Sequence, residues 1–75
     1  MHRQWYIVCR TDGEVPVPVG MLWSFDEELA IFRAVTENFA ELHPLRLRQQ
    51  LTAVAAGVGY LEARRQKMKL EAQAA

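Results

Sequence analysis

A chain of 75 residues has room for one domain at most, and a domain of that size buries only about 60% of the surface its unfolded form exposes, so its core needs a disulfide, a metal or self-association as support. A single cysteine, Cys9, excludes an internal disulfide, and with His2 and His43 it lacks the paired short spacings of structural zinc, which leaves self-association and predicts a homodimer. Net charge is formally zero but unevenly placed: residues 1–28 carry two arginines against five carboxylates, and residues 46–75 carry six cations against two carboxylates.

The opening MHRQWYIVCR holds an apolar run too short for a signal peptide. The weakly polar run Leu51 to Leu61 is far below the roughly 20 residues of a membrane span. With an unpaired thiol, these features predict a cytoplasmic protein with no membrane association. Gln4 to Arg10, QWYIVCR, is rich in aromatic and β-branched residues and apolar at nearly every position, the pattern of a strand covered on both faces. Asp12-Gly13 follows and signals a hairpin turn, with Val15 to Val19 as the returning strand and residues 4–19 as the hairpin. In VPVPV the prolines alternate, so Pro16 and Pro18 remove donors from one edge while the valines can pair on the other, as in a protected sheet edge. A polyproline ligand is the rival, but the spacing is P-x-P rather than P-x-x-P. Gly20 then allows a bend.

Ser24-Phe25-Asp26-Glu27 matches a capping box and predicts a helix over 25–42, with Leu29, Phe32, Val35, Phe39 and Leu42 as its bulky apolar face. His43-Pro44 ends it. A second helix over 45–72 follows, in which Leu47, Leu51, Val54, Val58, Leu61, Arg65 and Met68 alternate at four and three, like a coiled-coil seam. Beside that seam runs a row of small residues, Thr52, Ala56, Gly59 and Ala63, suited to receive Phe32 and Phe39, or alternatively Trp5 or Trp23. Gly57 and Gly59 weaken this helix by roughly 2 kcal/mol relative to alanine. The alternative is a break at Gly57-Val58-Gly59 with a third helix from Tyr60, but both rows stay in phase across the glycines and favour continuity. A continuous helix overhangs the shorter one, so a second copy is expected to cover Val58, Leu61 and Met68.

The predicted fold is therefore α+β: an N-terminal β-hairpin packed on an antiparallel two-helix hairpin with a long C-terminal helix. No constellation of residues supports catalysis. Cys9 lies mid-strand, where a buried inert thiol is the common case, Asp26, Glu27 and Glu28 are explained by capping, and Gly57-x-Gly59 does not complete a dinucleotide fingerprint. No catalytic, cofactor or metal site is expected. The remaining reading is a small protein-binding module, an adaptor, regulator or inhibitor, with Trp23, Tyr60, Arg64, Arg65 and Lys67 as candidate contacts, because aromatics and arginines dominate binding hot spots. The rival is a nucleic-acid-binding dimer that uses the basic stretch Glu62 to Lys69, with Arg46 and Arg48, on phosphates. In size and in lacking a catalytic set the chain resembles the small accessory proteins of phages and mobile elements, including inhibitors of host defence, a resemblance of style that rests on no motif.

Overall fold

The first apolar run becomes the middle of the molecule. In the computed structural model, which describes residues 2–11, 15–37 and 50–74, strand β1 (Gln4–Arg10) lies between β2 (Val17–Ser24) and β3 (Leu51–Gly57) in a three-stranded antiparallel sheet ordered β2-β1-β3. Among the described residues two helices join the sheet in an α+β fold: α1 (Glu27–Thr36) and α2 (Tyr60–Ala74). Each covers one face of the sheet.

Side chains alternate across a strand, so the two faces of β1 feed two separate cores. Tyr6 and Val8 join Leu22 of β2, Leu51 and Ala53 of β3, and Ala30 and Ala34 of α1. Ile7 and Cys9 join Ala56 of β3 and Ala63 of α2, with Trp5, Met21 and Leu70 packed at the margin. Ile7, Val8 and Cys9 are fully buried, as expected for a strand covered on both sides.

The second strand extends further than its prolines suggest. It begins at Val17 and runs to Ser24, so Gly20, Met21, Leu22 and Trp23 are ladder residues, opposite Val8, Ile7, Tyr6 and Trp5. Gly20 is not a bend. The irregularity lies between Val8 and Cys9, where the pairing slips by one residue. Pro18 does sit on an outer strand of the sheet, where its missing N–H is tolerated. The Asp12-Gly13 turn lies outside the described residues.

Because Ser24 completes β2 opposite Gln4, it cannot also cap the helix. Asp26 takes that role: its Oδ1 accepts from the Leu29 N–H at 2.8 Å. The Ser24 hydroxyl instead donates to the Asp26 carbonyl at 3.3 Å. The N-cap is thereby displaced by two residues, and with Leu29 three residues on there is no reciprocal capping box. The helix presents a different face as well. Ala30 and Ala34 are buried, with Ile31 and Val35 beside them, whereas Leu29 and Phe32 are exposed, Phe32 at 54%. Tyr6, Val8 and Leu22 already fill that side of the sheet, so only a small-residue stripe lets the helix approach closely. Phe32 is also on the wrong side to meet Ala56 and Ala63, which lie under α2; Trp5, the alternative occupant, is the large residue beside them. Phe39, Leu42, His43, Pro44 and Leu47 lie outside the described residues.

The largest correction concerns residues 45–72. Leu51–Gly57 is a strand paired antiparallel with β1, and helix resumes only at Tyr60. Gly57 leaves the sheet with φ of 102°, a left-handed conformation that glycine adopts without steric penalty. The break at Gly57-Val58-Gly59, weighed above as the alternative, is the observed one. The Gly59 carbonyl accepts the first helical bond, from the Ala63 N–H at 3.0 Å. Alanine is ambiguous between helix and strand, and pairing with β1 outweighs its local helical preference. No overhanging rod results, since the fifteen residues of α2 pack back on the sheet through Ala63 and Leu70. The two described helices lie on opposite faces of the sheet.

Candidate functional site

Several exposed large apolar side chains lie on α2 or in the turn before it. The inner face of α2 uses small Ala63 and half-buried Leu70, with half-buried Lys67 between them. The opposite face carries Leu61, Arg65 and Met68 at spacings of four and three, with Arg64 alongside, all exposed. Leu61 is 67% exposed, Met68 59%, and Val58, in the turn leading into the helix, 66%.

At the start of α2 an aromatic corner joins helix to sheet. Trp5 and Trp23 are opposite one another across β1 and β2, with ring centroids 5.5 Å apart. Tyr60 meets Trp5 edge-on at 5.4 Å, a favoured aromatic geometry. Trp23 is consequently half-buried packing, while Tyr60 keeps about half its surface in solvent. The structure thus brings Tyr60 and Trp23 together through Trp5 and sets Arg64 and Arg65 on the exposed face of α2. Lys67 is set apart: its Nζ is 2.8 Å from Glu71 Oε1.

The cations of α2 are not placed to offset its own dipole. The last turn holds no basic residue, and a dipole interaction fades beyond that turn. Glu62, in the first turn, is favourably placed for the dipole, and its carboxylate lies against Gly57, where a Cβ would come within 3.1 Å of Oε2.

A second concavity, of about 430 Å³, is lined by Arg3, Trp23, Ser24, Phe25, Leu29 and Arg33. Sequence reasoning missed it because Leu29 and Phe32 read as core positions. Both its cations have protein partners. Arg33 Nη1 donates to the Trp23 carbonyl at 2.7 Å, Nη2 donates to Glu37 Oε1 at 3.3 Å, and the Arg3 guanidinium stacks 4.7 Å above the Phe25 ring. The Cys9 thiol is buried, and desolvation pushes its pKa up, so it stays protonated and unreactive at neutral pH. Among the described residues no three His, Cys, Asp or Glu side chains cluster, and no helix is long and apolar enough to cross a membrane. No protein-family model, curated protein or solved structure matches the chain.

Proposed function

We propose that the chain is a non-catalytic protein-binding module of the cytoplasm, an adaptor, regulator or inhibitor, that self-associates and engages a partner protein through the outward face of α2. One observation carries this reading. The helix is already anchored through Ala63 and Leu70, yet Leu61 and Met68 still face solvent beside Arg64 and Arg65. Anchors of this kind, apolar side chains with arginine at the rim, supply most of the energy of protein interfaces. Tyr60 extends the surface toward the sheet.

The test is capture from a bacterial lysate by wild type and by a Leu61→Asp, Met68→Asp double variant. A protein held by the wild type and lost by the variant, with unchanged circular dichroism, supports the reading. Equal capture by both removes α2 from it.

One observation favours a second reading, nucleic-acid binding. Arg64, Arg65 and Lys69 are exposed and unexplained by the helix dipole. Titration with generic duplex at rising salt decides this, because phosphate contacts weaken steeply with salt. Absence of binding even at low salt removes it.

A further inference from the structure

The two outer edges of the sheet differ in how they are protected. β2 has Pro18 within it, Pro16 immediately before it, and a register slip between Val8 and Cys9 on its partner strand. Proline and bulges are the usual devices that stop a sheet edge from pairing with another chain. β3 has neither proline nor charge, and no charged residue occurs from Leu51 to Tyr60. Its pairing with β1 is regular from Leu51 to Ala55 and then slips by one residue before Gly57, so the two edges differ in their prolines and not in having a slip, and among the described residues no strand pairs with its outer edge. Val54 and Ala55, on opposite faces of the strand, are both exposed, Val54 at 40%.

We infer that β3 is a dimerisation strand, which pairs antiparallel with β3 of a second copy about a two-fold axis at Val54. The inference takes up the self-association in the reading above and moves its seat from α2 to the sheet. Two antiparallel strands related by a two-fold share that axis perpendicular to the sheet, so both α2 helices fall on the same side of one continuous sheet. Centred on Val54, the pairing sets Val54 opposite its own copy and Ala53 opposite Ala55, and it ends where β3 slips against β1 beyond Ala55. These small side chains let the backbones approach, and no like charges meet.

A second copy fits better than an unrelated strand for a structural reason. It brings the same unguarded edge, so one contact removes both, and the prolines of β2 prevent growth at the far side. A closed dimer follows rather than an open stack of sheets.

Light scattering of the wild type, Val54→Lys, Val54→Glu and a Leu61→Lys, Met68→Lys double variant tests this, with circular dichroism to check folding. The wild type and the double variant should be dimers, each Val54 variant a monomer, and an equal mixture of the two Val54 variants a dimer again. Val54→Cys provides a test that does not depend on tolerating a charge. Paired residues in an antiparallel ladder lie within disulfide reach, so mild oxidation should link two chains at Val54→Cys and not at Pro18→Cys. A wild-type monomer overturns both self-association and its location. A dimer that survives Val54→Lys and leaves Val54→Cys unlinked overturns only the location, and loss of that dimer in the double variant returns it to α2.

Discussion

The two helices cover opposite faces of one sheet, and the shorter is held more firmly. α1 has ten residues, buries Ala30 and Ala34 one turn apart, is capped by Asp26 and is tied to β2 through Arg33 and the Trp23 carbonyl. α2 has fifteen residues, yet among those whose burial is described only Ala63 is buried, with Lys67 and Leu70 half-buried. Anchoring depends on how many small positions face the sheet at close approach, not on helix length. The surplus length of α2 is surface, and that is where its exposed leucine, methionine and arginines lie.

Three sets of substitutions sharpen this contrast. The largest effect belongs to the strand both helices share. Ile7→Ala, which empties a fully buried site, should destabilise by about 2–5 kcal/mol, read from the urea midpoint. Val8→Ala on the other face should cost less, because it removes fewer methylene groups at about 0.8 kcal/mol each. Loss confined to one helix in either variant would show that the two cores unfold independently.

Next come the docking alanines. Ala34→Leu and Ala63→Leu each overfill a closed contact, at about 1–3 kcal/mol. Their consequences should differ in extent. Ala34→Leu should lower the protection of the whole sheet against hydrogen exchange, whereas Ala63→Leu should release residues 64–74 while β1 stays protected. Cys9 lies under α2, so its labelling by a thiol reagent should accelerate far more in Ala63→Leu than in Ala34→Leu. Equal acceleration would mean that α2 opens only with the rest of the molecule.

The smallest effect concerns the hinge between β3 and α2. Gly57→Ala imposes a side chain on a left-handed backbone and crowds Glu62, at about 1 kcal/mol. Gly59, whose Cβ would meet only the Glu62 side chain at 3.9 Å, should tolerate alanine within about 0.5 kcal/mol. Thermal denaturation of the pair separates conformation from crowding.

Much of the first strand could be read from its residues, because QWYIVCR is apolar on both faces and only a central strand satisfies that. The edge position of the proline-bearing strand followed from the missing donors. The face of α1 did not. Its bulkiest residues were expected inside, but the large side chains that fill that core come from β1 and β2, leaving room only for alanines. For β3 the difficulty was different. LTAVAAG carries a helical spacing at Leu51 and Val54 and alanines that favour helix, and what makes it a strand is its pairing with Gln4–Arg10, far away in the chain, which local propensity cannot encode. Val58, Leu61 and Met68, expected to lie under a second copy, are exposed in the single chain, Leu61 and Met68 on a packed helix and Val58 in the turn before it.

Of the three strands the central one comes first in the chain. Its partner on one side follows closely, but the other arrives only with residue 51, so during translation half of the ladder must wait for a late segment. Folding that depends on such distant pairing is slowed by the loop that must close first. A polypeptide truncated before Leu51 would carry QWYIVCR with a bare flank, a ready template for aggregation.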